Sequence, residues 1–443
     1  MPSFRTTTAR LAKCFNILLL LTATQLCHAA LDETEQKLTE AIDATNADAM
    51  ALLEELVNIN SGTMNLEGVR EVGRVLAPYF EALGFTTRWE DGAAFKRAGH
   101  LIATHEGSKS SPRLLLIGHL DTVFEPDSPF QKFEKISDTE IRGPGISDMK
   151  GGNIIMLQAL RALYNTGELE DMNIIVVMTG DEERSGRPLS LSKKALIDAA
   201  LQSDIAIGFE NGDGNPKTAN VSRRGSLGWT LEVTGKPAHS SQIFRDDIGA
   251  GAIFEAARIL TVFYEELRSE DLLTFNPGKI IGGTTLNHDT SSSTGTAFGK
   301  SNVIAESAIV TGDLRAISAE QVERVQKKMK DIVARNLPQT HATIRFSEGY
   351  PPMAPSDGNK KLLSIYSEAS EALGFGPVEA VNPLRAGAAD VSFTAEHVDM
   401  AIDALGMSGT EGHTVGEIGY TWALPMQAKK AAVLMYRLQH KLD

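Results

Sequence analysis

The chain has 443 residues, of which 57 are acidic and 43 basic, so its net charge is −14 at pH 7. Its apolar content of 42% is ordinary for a globular protein, and its length allows two or three domains. The negative charge argues against nucleic acid and anionic membrane surfaces as partners.

The first 30 residues predict a secretory signal peptide. Arg5, Arg10 and Lys13 precede a short apolar stretch at residues 15–23, and small residues ending at Ala30 come before an acidic segment. We therefore predict a periplasmic or secreted protein without stable membrane association after cleavage; an uncleaved anchor is the alternative. Cys14 and Cys27 both lie in this segment. The mature chain would contain no cysteine, so His, Asp and Glu must supply any metal ligands.

The next part of the chain alternates helical and strand-like segments. This alternation predicts βαβ units and a parallel sheet. Helical spacing covers residues 34–60, 68–83, 152–164 and 192–200, and buried strands are predicted at 101–103, 114–117, 174–178 and 205–209.

Around residue 225 the pattern changes to half-exposed strands. Two helices among these strands predict a separate α+β domain over residues 225–348, after which the βα pattern returns. We predict strands at 229–234, 308–314 and 342–346, helices at 248–267 and 319–336, and a Ser/Thr-rich loop at 290–296.

His119 and Asp121 directly follow the buried strand at 114–117. Open α/β sheets bind ligands at the carboxyl ends of their strands, which places this pair where chemistry is expected. If His119 binds a metal, Asp121 either orients its imidazole ring or is itself a second ligand. The alternative is a strand-end histidine that only hydrogen-bonds to a neighbour.

Three adjacent acids, Asp181, Glu182 and Glu183, follow the strand at 174–178. Adjacent carboxylates are costly to bury unless a cation neutralises them, although a surface run of this kind is simply solvated. Neighbouring side chains diverge, so one glutamate can bind a metal while the other acts as a general base.

Asp148, Glu210 and His413 also lie in loops that adjoin predicted elements. Taken singly, they are explained as a helix cap, a solvent-facing strand end and an exposed loop histidine. Together with His119 and Glu183 they would form one site. Two histidines and three carboxylates without sulfur favour zinc, with cobalt or manganese as substitutes.

The sequence resembles the di-zinc exopeptidases, the family of glutamate carboxypeptidase (carboxypeptidase G), aminoacylase and succinyl-diaminopimelate desuccinylase. This resemblance implies an α/β fold: a mixed sheet with flanking helices over residues 31–224 and 349–443, interrupted by an inserted α+β lid and dimerisation domain at 225–348. It also implies a homodimer formed through the lid. The motifs that carry it are Gly118-His119-Leu120-Asp121-Thr122-Val123, Gly143-Pro144-Gly145 through Asp148-Met149-Lys150-Gly151-Gly152, Asp181-Glu182-Glu183, Glu210, Gly235-Lys236-Pro237-Ala238-His239-Ser240-Ser241 and His413.

The resemblance also implies a role for each matching residue. Two zinc ions per subunit would be bound, with Asp148 bridging them, Glu182 as the general base and Asp121 orienting His119. His239 would stabilise the oxyanion, from the same subunit or from the lid of a second one. Asn302 and Arg315 would contact substrate, with a structural salt bridge as the alternative for Arg315. The implied metal ligands are His119, Asp148, Glu183, Glu210 and His413.

Two departures concern specificity: one lies at Tyr350, and the other is the family's glycine-rich run, which here reads Arg385-Ala386-Gly387-Ala388-Ala389-Asp390. Where the carboxypeptidase branch has an arginine that binds the substrate's terminal carboxylate, this chain has Tyr350. Tyrosine cannot form a bidentate charged pair, and Arg385 is a candidate for the missing charge. The predicted function is hydrolysis of an amide bond next to a terminal amino acid in a small peptide or N-acyl amino acid. The alternatives are an aminoacylase or dipeptidase, or an inactive binding homologue.

Overall fold

The computed structural model describes residues 31–107, 111–290 and 292–442. The predicted signal peptide and both cysteines lie outside these residues. Within them, no helix combines the length and the apolar character that a bilayer crossing requires.

The helices of the described chain match most of the predicted helical segments. They are α1 (Glu33–Val57), α2 (Leu66–Ala82), α3 (Gly151–Thr166), α4 (Leu189–Ser192), α5 (Lys194–Ala200), α6 (Gly251–Leu267), α7 (Ala319–Val333), α8 (Asp357–Ala372) and α9 (Ala423–His440).

The strands are more numerous than the sequence pattern predicts. They are β1 (Thr86–Asp91), β2 (Gly99–His105), β3 (Arg113–His119), β4 (Glu134–Lys135), β5 (Glu140–Arg142), β6 (Asn173–Thr179), β7 (Ile205–Gly208), β8 (Thr218–Ala219), β9 (Leu227–Gly235), β10 (Thr274–Gly283), β11 (Thr285–Asp289), β12 (Thr294–Phe298), β13 (Ser307–Arg315), β14 (Thr340–Phe346), β15 (Glu379–Ala380), β16 (Met400–Ile402), β17 (Gly409–Thr410) and β18 (Ile418–Tyr420).

The larger sheet has six strands in the order β1-β2-β6-β3-β7-β16. Strands β6, β3, β7 and β16 are parallel, whereas β1 and β2 pair antiparallel with their neighbours. The predicted α/β fold with a mixed sheet is confirmed, although strand–helix alternation alone predicted parallel pairing and does not account for the antiparallel strands at this edge. There β1 leads into β2 without a crossover helix, and such a connection joins antiparallel strands.

Both faces of this sheet are covered, which explains why its strands are continuously apolar. Helices α1, α3 and α9 pack together on one face, where Leu53, Leu160 and Leu434 are fully buried in the largest apolar cluster. On the other face, Leu196 of α5 packs with Val177 of β6. The sheet is therefore a rigid platform, and its strand ends are held in place.

A second, antiparallel sheet has the order β10-β13-β9-β14 and carries α6 and α7. Its own apolar cluster includes Trp229, Leu231, Phe263 and Met329. All of these elements fall inside the predicted lid, residues 225–348, whose boundaries stay a prediction.

The loop predicted at 290–296 was wrong in part, because β12 begins at Thr294 and pairs with β11. Every residue of β12 is exposed, so this strand has no alternation between apolar and polar positions. Strand β10 was also missed. Its register shifts between Pro277 and Lys279, and proline and glycine at that bulge hide the strand pattern.

Candidate active site

Three parallel strands bring candidate residues to one edge of the larger sheet. His119 ends β3, Asp181–Glu183 follow β6, and Glu210 follows β7. These strands are neighbours in the sheet, so their carboxyl ends open onto the same edge. Continuous burial of the strands thus determines where these polar groups emerge.

Asp148 arrives from a different element, the turn at Ile146–Lys150 that leads into α3. The turn begins at Gly145, whose φ of +71° is in the left-handed region; a side chain there would also collide with Thr122. Asp148 Oδ1 lies 3.3 Å from His119 Nε2, and Oδ2 lies 3.0 Å from His413 Nε2. The structure therefore places one carboxylate between both imidazoles.

Each imidazole also has a second carboxylate partner. Glu210 Oε1 lies 3.4 Å from His119 Nε2, and Glu183 Oε2 lies 3.2 Å from His413 Nε2. The five predicted metal ligands thus form one cluster, with Asp148 at its centre.

The carboxylates raise the pKa of both imidazoles. Burial lowers the pKa of His119, but Glu210 and Asp148 outweigh it and hold that pKa well above the usual value. Hydrogen bonds with Asp148 and Glu183 raise the pKa of His413 to about 11. Burial, together with the charge of Asp148, raises the pKa of Glu210 to about 7. This cluster needs positive charge, and a divalent cation would replace the imidazole protons.

The donor set fits a metal ion in a second respect. Glu183 Oε1 is buried without a hydrogen-bond partner in the described structure, although a carboxylate oxygen is costly to bury unpaired. Two groups of three residues could each hold a metal ion, because within each group the potential ligand atoms lie within 4.8 Å of one another. The groups are His119 with Asp148 and Glu183, and His119 with Glu182 and Glu210. The residues present therefore match the nitrogen and oxygen ligands of a zinc-type centre.

Asp121 is buried and contacts His119 through its backbone. His119 Nδ1 lies 3.0 Å from the Asp121 carbonyl oxygen and 3.6 Å from its carboxylate. The carboxylate instead accepts the N–H groups of Glu182 (3.1 Å) and Glu183 (3.2 Å) and the hydroxyl of Thr63 (2.6 Å). This geometry favours the orienting role for Asp121 over the ligand role. It also shows that the carboxylate holds the segment that carries the two glutamates.

Glu417 was not identified from the sequence. Its carboxylate accepts hydrogen bonds from the backbone N–H groups of Gly145, Ser147 and Asp148 and from the Ser147 hydroxyl. It therefore joins the turn of Asp148 to the loop of His413. The sequence feature that could have identified Glu417 is its position, four residues after His413 in a glycine-rich loop.

Lys193 is the second residue that sequence reasoning missed. Its ammonium group is fully buried and lies 3.0 Å from Asp181 Oδ1 and 2.9 Å from Asp390 Oδ1. Asp181 Oδ2 also accepts hydrogen bonds from the Ser192 hydroxyl and the Gly186 N–H. Asp181 is therefore not part of the candidate metal cluster, and it anchors the start of the acidic segment. Nothing in the sequence distinguishes Lys193 from its exposed neighbour Lys194.

We expect Lys193→Met to lower the free energy of unfolding by about 3–5 kcal/mol, because it leaves two buried carboxylates without their cation. Urea unfolding followed by tryptophan fluorescence measures the change. Lys194→Met is the matched control: Lys194 pairs with Asp198 at the surface, and such pairs contribute about 1 kcal/mol or less. Equal stability losses in the two variants would contradict the buried role of Lys193.

The predicted substrate residues occupy two places. Arg385 Nη2 lies 3.4 Å from Asp213 Oδ2. Asp213 lines a polar cleft of about 320 Å³ that also includes Asp148 and His413, so Arg385 stands near the cluster. The hydroxyl of Tyr350 contacts Ser185 and the carbonyl of Glu182.

The remaining candidates lie in the lid. His239 Nδ1 lies 2.8 Å from the Ser241 hydroxyl, and the carbonyl of Asn302 accepts the N–H of Ser240. In the described part of the chain, the hydrogen bonds of these two residues stay within the predicted lid and do not reach the candidate metal cluster. Arg315 forms an ion pair with Asp313 at 3.1 Å, which is the salt bridge expected as the alternative.

Comparison with known proteins gives one family. The model of peptidase family M20/M25/M40 matches residues 115–430. Carboxypeptidase G2 of Pseudomonas sp. (strain RS-16) is 26% identical over 368 residues, which cover 82% of each chain. A probable succinyl-diaminopimelate desuccinylase of Staphylococcus aureus (strain MRSA252) is 29% identical over 172 residues, covering 38% of this chain and 40% of that relative.

Solved structures share the fold. A tripeptidase from Staphylococcus aureus has a TM-score of 0.68 at 21% identity, covering 89% of this chain and 99% of that one. A Bacillus subtilis protein described as a dinuclear metal binding peptidase has a TM-score of 0.63 at 16% identity, covering 90% and 100%. The predicted fold class is confirmed by these neighbours.

Proposed function

Because the chain belongs to peptidase family M20/M25/M40, we propose that it is a metal-dependent hydrolase that cleaves an amide bond next to a terminal amino acid. One observation carries the proposal: Asp148 lies between the imidazoles of His119 and His413, with Glu183 and Glu210 beside them. Asp148, Glu183 and Glu210 are largely withdrawn from solvent, and burying three neighbouring carboxylates is costly unless cations neutralise them.

We assign two zinc ions to this cluster, with cobalt or manganese as substitutes. His119, Asp148, Glu183, Glu210 and His413 would hold them, and Asp148 would be shared. Bound there, divalent ions polarise the scissile carbonyl and lower the pKa of the attacking water.

The residues of this chain then divide the remaining tasks. Burial and the charge of Glu210 raise the pKa of Glu182, which suits a group that takes a proton from water and returns it to the leaving nitrogen. Asp121 holds the backbone N–H of Glu182 and so orients this base. His239, from the same or a second subunit, would donate a hydrogen bond to the oxyanion.

We propose a small peptide or N-acyl amino acid as the substrate. The similarity to carboxypeptidase G2 over 82% of both chains favours removal of a carboxyl-terminal residue. An aminoacylase or dipeptidase activity remains the second candidate, because the position of the carboxylate-binding arginine is held by Tyr350. Arg385, near the cleft, is the candidate partner for the substrate's carboxylate.

The test combines metal analysis with a substrate screen. We expect about two metal equivalents per chain, loss of activity on chelation, and recovery when zinc is returned. The screen compares N-acetyl and N-benzoyl amino acids, including N-benzoyl-L-glutamate, with unblocked dipeptides and tripeptides. Turnover that survives complete removal of metal would refute the proposal.

We also propose that residues 1–30 direct the protein out of the cytoplasm and are removed, and that the lid forms a homodimer. Exposed apolar side chains of the lid support the second point: Phe244, Ile253, Phe254 and Ile280. N-terminal sequencing of the exported protein tests the first point. Sedimentation of the purified chain tests the second, and a monomer at micromolar concentration would exclude a stable dimer.

A further inference from the structure

Tyr350 lies at the junction between the lid and the larger domain. It follows β14, where the chain returns from the lid to the larger domain, and its backbone pairs with Ser226, where the chain leaves. The two hydrogen bonds of this bridge are 2.9 and 3.0 Å long. Tyr350 therefore sits at the junction of the two sheets rather than on a flexible loop.

The Tyr350 hydroxyl is engaged by the protein itself. It donates to the backbone carbonyl of Glu182 at 2.9 Å and lies 2.9 Å from the Ser185 hydroxyl. Asp390 Oδ1 is a third neighbour at 3.3 Å. A phenol has one proton to donate, and these neighbours leave it poorly placed to serve a substrate carboxylate.

The ring of Tyr350 is also held. Lys193 Nζ lies 5.5 Å from its centroid, and Phe393 packs edge-on at 4.8 Å. A buried ammonium over an aromatic face is a favourable cation–π contact, whereas an arginine at position 350 would bring a second cation next to Lys193. The buried lysine thus accounts for an aromatic residue here.

The backbone of Glu182 is therefore held at both of its polar groups, the N–H and the carbonyl. Asp121 Oδ1 accepts its N–H, and Tyr350 donates to its carbonyl. Two bonds of this kind limit rotation of the backbone and so the position of the attached carboxylate.

We infer that Tyr350 is a positioning residue for the general base: its hydroxyl holds the Glu182 backbone, and it does not bind the substrate's carboxylate. This inference rests on the proposed function, in which Glu182 is the base. The carboxypeptidase branch has its substrate-binding arginine at this position, and Tyr350 does not take over that role.

Tyr350→Phe separates these two roles, since it removes only the hydroxyl. A displaced base slows the chemical step, so we expect kcat to fall about tenfold. KM, and the inhibition constant of the free amino acid product, should change less than twofold. The assay uses the fastest substrate of the screen, at a temperature at which wild type and variant are both fully folded. Tyr366→Phe is the matched control, because that buried hydroxyl bonds to Gln427 away from the site.

Two results would overturn the inference. One is a rise of more than twofold in KM or in the product inhibition constant, which means that Tyr350 binds substrate. The other is an unchanged kcat, which means that the hydroxyl does not position the base. Wild type and Glu182→Gln run in the same assay: an inactive wild type, or a fully active Glu182→Gln, refutes the proposed function independently of Tyr350.

Discussion

Glu182→Gln is expected to lower kcat by about 10²–10⁴-fold, the usual contribution of a positioned acid–base group. Glutamine has nearly the same shape but cannot accept a proton, so substrate binding should be largely retained. The kinetics are measured on the best substrate of the screen, together with the metal content of each preparation.

Metal content decides between two roles for Glu182, since its carboxylate also lies within 4.8 Å of ligand atoms of His119 and Glu210. Replacing a general base leaves the metal content at the wild-type level, whereas replacing a metal ligand lowers it. Glu396→Gln, at an exposed position, serves as the control and should behave as wild type. Loss of a metal equivalent in Glu182→Gln would reassign this residue as a ligand.

Asp148→Asn is expected to reduce both metal occupancy and activity, the latter by about 10³-fold or more, because several kcal/mol of electrostatic stabilisation depend on the metal centre. One carboxylate interacts with both imidazoles, so its replacement affects both halves of the cluster. Dialysis against buffers of defined free zinc, followed by elemental analysis, gives the occupancy.

Asp138→Asn is the matched control, because the side chain of Asp138 is 97% exposed and forms an ion pair with surface Lys135. It should retain full occupancy and activity. If Asp148→Asn still bound two metal equivalents at wild-type affinity, Asp148 would not be the shared ligand.

Much of the candidate site could be predicted because its strands are buried on both faces. Burial makes β3, β6 and β7 continuously apolar, and such runs are visible in the sequence. The polar residues at their ends, His119, Glu183 and Glu210, were therefore predicted as neighbours. The absence of cysteine outside residues 1–30 likewise restricted the candidate metal ligands to nitrogen and oxygen.

Exposed and edge elements could not be predicted in the same way. Strand β12 is exposed throughout and β10 contains a bulge at Pro277, so neither carries the alternation that identifies a strand. Their pairing depends on backbone hydrogen bonds, which any residue type can make.

By itself, the sequence determined the fold class, the family and the residue types that are candidates for binding metal, because burial patterns and short motifs are local properties of a chain. Only the tertiary structure decided how distant residues are held. It placed Lys193 between Asp181 and Asp390, joined Glu417 to the turn of Asp148, and turned the hydroxyl of Tyr350 toward Glu182. These contacts connect residues that are remote in the chain, and the identity of a lysine, glutamate or tyrosine does not reveal which partner the packed interior will give it.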